Sequence, residues 1–325
     1  MSSVSDWKVP ASVQPKPQDY DYDLDGALTS VVGLRSVVPN DAFTAQTLGT
    51  ERAGHGVIIG SNGLVLTIGY LITEASSVWL TLSDGRTVPG HPLAYDQETG
   101  FGLVQALARV ELPALPLGNS GDLRVRQRVV LGGAGGRQRS VAARIFAKQE
   151  FAGYWEYVLD EALFTGPGHP NWGGTALLDA RGQLVGIGSL QLQGTTEHGP
   201  TQHLNMVVPI DLLKPILDDL LTSGRPNRPP RPWLGIYAAE VDGKVLVAGA
   251  AERGPAHRAD LRTGDVLLGV GGSEVSDLAG LFRRIWSLGP AGVSVPLTIE
   301  RDGQSFDIEV PSADRNSFLK RPSLH

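Results

Sequence analysis

Gly56-Val57-Ile58-Ile59-Gly60-Ser61-Asn62-Gly63-Leu64-Val65-Leu66-Thr67 sets two apolar, largely branched runs on either side of an Asn-Gly pair. Such a pair supplies the positive-φ residues of a tight hairpin turn, so the stretch predicts two antiparallel strands. The pattern returns at Val78-Trp79-Leu80-Thr81-Leu82, followed by Asp84-Gly85. It continues through Val129-Val130-Leu131 and Leu184-Val185-Gly186-Ile187. Short strands punctuated by turn signals predict a mainly β fold of barrel or sandwich type.

Composition supports this and excludes several function classes. The 325 residues allow two domains, and 41% hydrophobic residues are enough for real cores. The 41 glycines and 22 prolines follow no Gly-X-Y period, which excludes collagen and favours a turn-rich chain. A net charge of −6 without a long basic block argues against a nucleic-acid partner. Cysteine is absent, which excludes disulfides, thiolate metal sites and cysteine nucleophiles. The seven histidines show no His-x-x-x-His or His-x-His spacing, so neither a metal nor a cofactor is expected. No run of eighteen apolar residues occurs, so no membrane-spanning helix is expected. The N-terminus carries acidic residues and no apolar signal region. The expectation is therefore a cytoplasmic protein, or a periplasmic one if a leader is missing from this sequence.

The chain divides into an extended arm over 1–25, a first domain over 26–224, a Pro/Arg-rich linker over 225–232, a second domain over 233–312 and a disordered tail over 313–325. One helix is expected to close the first domain. Asp211 would cap it, Leu212, Leu213, Ile216, Leu217, Leu220 and Leu221 give it an apolar stripe, and Gly224 would end it. Arg124, Arg126 and Arg128 alternate with other residues and predict one solvent-facing side of a strand. Gly132-Gly133-Ala134-Gly135-Gly136 lacks the Lys-Ser/Thr ending of a phosphate loop and reads as a turn.

Several segments, in order, resemble the HtrA/Deg family. These are Gly54-His55-Gly56-Val57-Ile58-Ile59, Leu64-Val65-Leu66-Thr67, Thr81-Leu82-Ser83-Asp84-Gly85-Arg86, Asp96-Gln97-Glu98-Thr99-Gly100-Phe101-Gly102-Leu103-Val104, Leu115-Pro116-Leu117-Gly118-Asn119-Ser120, Asn171-Trp172-Gly173-Gly174-Thr175-Ala176-Leu177 and Asn205-Met206-Val207-Val208-Pro209. The resemblance covers about residues 50–310. It implies a trypsin-like double six-stranded β-barrel followed by a PDZ domain, and a homo-oligomer. A trimer assembled through Trp7, Tyr20 and Tyr22 of the arm is the expectation.

The departures from the family decide the functional expectation. Its catalysis needs a serine nucleophile, a histidine base and an orienting aspartate. Here the histidine position falls on Tyr70, the aspartate position on Gly100 and the serine position on Trp172. A tyrosine with pKa near 10 is a poor base at neutral pH, a glycine orients nothing, and an indole is no nucleophile. The glycine whose N–H would stabilise the oxyanion aligns with Pro170, which has no N–H to offer. The four substitutions predict a pseudoprotease with no catalytic residues. His55 and His169 sit in no motif that would make either a base, while Asp160 and Glu161 read as solvated, with a carboxylate pair for repurposed hydrolysis as the alternative. Phe151, Tyr154, Trp155 and Tyr157 read as second-barrel core, with relining of the old cleft beside Trp172 and Tyr70 as the alternative.

Pro232-Trp233-Leu234-Gly235-Ile236 resembles the carboxylate-binding loop of HtrA-type PDZ domains. Successive backbone N–H groups in such a turn can hold a peptide's terminal carboxylate. The peptide-binding candidates are Trp233, Leu234, Gly235 and Ile236, with Leu278, Phe282 and Ile285 lining an apolar pocket from one helix. Ala251-Glu252-Arg253-Gly254-Pro255-Ala256 and Asp260-Leu261-Arg262-Thr263-Gly264-Asp265-Val266-Leu267 support the match, with Asp260 at a glycine-like position that predicts a strained turn. The groove is expected to be open, or empty or self-occupied in the alternative. The combined expectation is a non-catalytic scaffold binding protein C-termini or unfolded peptide segments. An endopeptidase with a shifted site and a chaperone-like holdase are the alternatives.

Overall fold

The computed structural model describes residues 7–194 and 202–321. Residues 1–6 of the expected arm and 322–325 of the expected tail lie outside the described residues. The first six strands are β1 (Val31–Val37), β2 (Glu51–Ile58), β3 (Leu64–Ile68), β4 (Ser77–Thr81), β5 (Thr87–Tyr95) and β6 (Phe101–Ala106). They close into a barrel in the order β1-β2-β3-β6-β5-β4. Gly63 at φ +81° and Gly85 at φ +86° make the two turns read from Asn62-Gly63 and Asp84-Gly85. Val32, Leu34, Val57, Leu66, Leu80, Phe101 and Leu103 fill the barrel interior.

The next six are β7 (Arg128–Gly132), β8 (Val141–Gly153), β9 (Tyr157–Gly166), β10 (Ala176–Leu178), β11 (Leu184–Gly194) and β12 (Gln202–Pro209). They close a second barrel in the order β10-β11-β12-β9-β8-β7. The double barrel matches the expected fold. The chain separates into two compact units, and the second comprises Glu150–Asp160 and Arg228–Leu319. The tip of the β8–β9 hairpin therefore belongs to the second unit.

That unit is a sheet of β13 (Ile236–Val241), β14 (Lys244–Ala250), β15 (Val266–Val270), β16 (Ser273–Glu274), β17 (Ser294–Arg301) and β18 (Gln304–Pro311). Its order is β13-β14-β15-β17-β18, with β16 paired to β15, so β13 is an edge strand. Helix Leu278–Ser287 packs Leu281, Phe282 and Ile285 into the core. Its cap is Asp277, whose carboxylate accepts from the Gly280 N–H at 2.6 Å. Asp260 does adopt a positive φ of +58°, and its carboxylate is held by Arg262 and Arg301.

Several local expectations are corrected. The arm is not merely extended. Short 3₁₀ turns at Ala11–Val13 and Pro17–Asp19 lead to a helix at Leu24–Thr29, and the Trp7 ring packs edge-on to His169 at 5.6 Å. The helix after β12 is broken into Ile210–Leu212 and Leu217–Ser223. Asp211 does not cap it; its carboxylate accepts from the Gly121 N–H at 2.8 Å instead. Gly224, at φ +71°, ends the second piece as read. Arg124 and Arg126 do not lie on a strand, because the chain turns at Arg126 with φ +72° and β7 begins at Arg128. The described part of the tail is ordered: Ala313 pairs with Trp233, and the Phe318 ring lies 5.0 Å from that indole.

Candidate functional site

The first candidate site lies where the barrels meet. Tyr70 sits in a 3₁₀ turn that follows β3 directly. Its hydroxyl donates to the Ser189 carbonyl at 2.9 Å, and the Trp172 side chain stands beside it. Burial holds the phenol above its usual pKa, so the group is neutral with its proton committed. Tyr70 and Trp172 thus meet in space, 102 positions apart in the chain by their numbers. A nucleophile and its base need the same proximity.

The loop carrying Trp172 is fixed by backbone. The Trp172 carbonyl accepts from the Thr175 N–H and hydroxyl, and the Gly173 carbonyl accepts from the His55 N–H at 2.8 Å. Gly174 has φ +78°, and a Cβ there would stand 1.9 Å from the His55 carbonyl oxygen. Only glycine fits. Gly100 also sits at a positive φ, +84°, with its carbonyl accepting from the Gly69 N–H at 2.7 Å. It follows a turn closed by Asp96, whose carboxylate accepts from the Thr99 N–H and hydroxyl. Pro170 is exposed, and the next N–H, of Asn171, is already donated to the His169 Nδ1 at 3.1 Å.

His55 and His169 are buried beside this loop with ring centroids 5.5 Å apart. The His55 Nδ1 accepts from the Ala134 N–H at 3.1 Å, which leaves Nε2–H to donate to the Asn171 carbonyl at 3.0 Å. The same logic makes His169 donate through Nε2 to the Arg139 carbonyl at 2.7 Å. Burial brings His55 down to about 3 and also lowers His169. Both are neutral clamps for backbone. Asp160 and Glu161 form no carboxylate pair: Asp160 binds Arg283, and Glu161 binds Lys148 at 3.0 Å.

The second candidate site is the Trp233–Ile236 loop of the second unit. Gly235 has φ +75°, and the turn presents three successive N–H groups. All three donate to the Glu156 carboxylate: Leu234 at 3.1 Å, Gly235 at 2.6 Å and Ile236 at 2.9 Å. Burial pushes Glu156 up to about 7, while the three N–H groups and Arg315 pull the other way. Glu156 itself stands at φ +60°, a conformation that side chains resist. Two residues earlier, the Tyr154 carbonyl accepts from the Ala238 N–H of β13 at 2.9 Å.

Leu234, Ile236, Phe282 and Ile285 share one buried cluster, with Leu278 packed against it. Trp233 turns away to Phe318. Sequence reasoning missed Glu156, which carries no local motif; only the aromatic residues around it drew notice. The core reading of those aromatics is corrected. Phe151, Tyr154, Trp155 and Tyr157 do not belong to the second-barrel core; they lie on the hairpin tip in the second unit, where Tyr154 meets Tyr237 at 5.9 Å. Among the described residues, no cluster of His, Asp or Glu could hold a metal, and no helix is long and apolar enough to cross a membrane.

Residues 54–187 match the trypsin-like peptidase domain model and residues 232–311 the PDZ domain model. A probable periplasmic serine endoprotease, DegP-like, of Chlamydia trachomatis is 25% identical over 82% of this chain and 56% of its own length. A protein of the same name from Pseudomonas fulva is 29% identical over 80% of this chain and 55% of its own. The chain thus spans a little over half the length of these relatives. The structure of the HtrA-type protease AlgW with a decapeptide superposes with a TM-score of 0.53 at 22% identity, covering 93% of this chain and 100% of that one. The relatives are named periplasmic, which overturns the cytoplasmic expectation. That expectation rested on reading the N-terminus as the protein's own beginning.

Proposed function

We propose that this chain, a trypsin-like peptidase domain followed by a PDZ domain and similar to DegP-like proteins, is an HtrA-type, non-catalytic, periplasmic scaffold that binds peptides or protein C-termini. The observation that carries the reading is the Tyr70–Trp172 contact, with the Tyr70 proton spent on the Ser189 carbonyl. On this reading the two residues occupy the base and nucleophile positions, and neither offers a free base or nucleophile. Gly100 brings no carboxylate, and Pro170 brings no oxyanion donor. Nearby His55 cannot serve as a substitute base, since both ring nitrogens are bonded and its pKa is about 3.

Peptide binding belongs to the Leu234–Ile236 loop. Its three converging N–H groups suit a carboxylate, and β13 is a sheet edge. A homo-oligomer, specifically a trimer, is part of the proposal. The competing reading is an endopeptidase, favoured by the names of the relatives. A fluorophosphonate probe separates the two. The expected result is no serine adduct in the folded chain, and a stoichiometric adduct on one barrel serine refutes the scaffold reading.

A further inference from the structure

We propose that the carboxylate loop of the PDZ domain is occupied by an internal ligand, the Glu156 side chain, which must withdraw before a chain terminus can bind. This rests on the reading that the loop receives terminal carboxylates. The hairpin tip reproduces the parts of such a ligand. Its carboxylate takes the N–H groups of Leu234, Gly235 and Ile236, where a terminal carboxylate would sit. Its backbone adds to the sheet edge through the Tyr154 carbonyl and the Ala238 N–H. Its Val158 side chain joins the apolar cluster of Leu234, Ile236, Phe282 and Ile285, the residues expected to seat a terminal side chain.

The placement of Glu156 is specific. At φ +60° glycine or asparagine is the economical choice, so the long acidic side chain is held there by what its oxygens reach. The tip is also tied at its base, where Arg283 of the Leu278–Ser287 helix pairs with both Glu150 and Asp160. Burial of Glu156 with Arg315 as its neighbouring cation completes a closed, satisfied contact. A competitor must replace all of these interactions, so its apparent affinity falls by the fraction of molecules with the loop free.

The test uses the full chain, Glu156→Ala and Glu156→Gln, with amide hydrogen exchange and a fluorescein-labelled peptide ending in valine with a free carboxylate. Glu156→Ala should lose exchange protection at residues 234–236 and bind the peptide about tenfold or more tightly than the natural chain. Glu156→Gln keeps the volume and one acceptor oxygen, falls between the two, and decides the matter if the alanine variant does not fold. Unchanged protection at 234–236 in the folded variant overturns the proposal. So does equal, measurable peptide affinity in the natural chain and the variant. Lost protection with no peptide bound by either chain leaves Glu156 as the loop's ligand and refutes the terminus-binding reading instead.

Discussion

Restoring the family's catalytic residues should not restore catalysis while Pro170 remains. The perturbation is Tyr70→His, Gly100→Asp and Trp172→Ser together, with and without Pro170→Gly. Two costs follow from the backbone. An aspartate at position 100 must adopt φ +84°, which costs about 1–2 kcal/mol for a residue with a side chain. Pro170 withholds one oxyanion donor, a loss of about 2.7–4 kcal/mol of transition-state stabilisation, or about 100- to 1000-fold in rate. The first cost is shared by both variants and cancels between them. The second does not. The fourfold variant should therefore exceed the triple variant in kcat/KM on fluorogenic casein by about 100- to 1000-fold. Melting curves of both must first show folded barrels. Measurable activity that is equal within threefold, with and without proline, refutes the assignment of Pro170 to the donor position.

Four further outcomes are expected. Gly235→Val should abolish peptide binding, because a Cβ at φ +75° meets the Trp233 ring at 3.0 Å and twists the donor turn; calorimetry with the Glu156→Ala background checks it. Phe282 is fully buried, so Phe282→Ala should destabilise the second unit by about 3–5 kcal/mol in denaturant titrations rather than simply retune ligand preference. Glu156 has a closed-state pKa of about 7 against 4.5 when released, so closure takes up a proton: protection of amides 234–236, corrected for intrinsic exchange, should be full at low pH and decline as pH rises through 7. His55 is depressed to about 3, so its contribution is complete above pH 6.5 and declines as pH falls toward 3. The stability–pH slope below 6.5 should be shallower in His55→Gln, read by chemical melts at pH 7.5, 6 and 5.

The double barrel was legible because its turns are local. Gly63 and Gly85 announce themselves beside Asn62 and Asp84, and the conformations they adopt depend on little else. Tyr70, Trp172 and Pro170 could be located for the same reason, since they sit inside short motifs. The loop at Gly235 was also readable from four residues. Its occupant was not, because Glu156 bonds residues 78–80 positions away and no pattern of neighbours encodes that distance. The helix expected from Asp211 to Leu221 failed through a long-range competitor, since Gly121, 90 positions away, takes the capping carboxylate. The tail was read as disordered because the contact that orders Phe318 is with Trp233, far upstream in the chain.

The arm provides an assembly test as well. Trp7 packs on His169 and Tyr22 lies against Gly182 of the same chain. Light scattering of the full chain and of a chain lacking residues 1–25 should show a trimer only for the former. The same monomer mass for both rules out the arm as the assembly element.

The central claim, that this protease fold is chemically silent, is tested most directly by incubating the purified full chain with denatured casein and following peptides by mass spectrometry. Casein should remain intact after prolonged incubation, matching a buffer control. Fragments that accumulate in proportion to the chain's concentration and persist through a second purification contradict it.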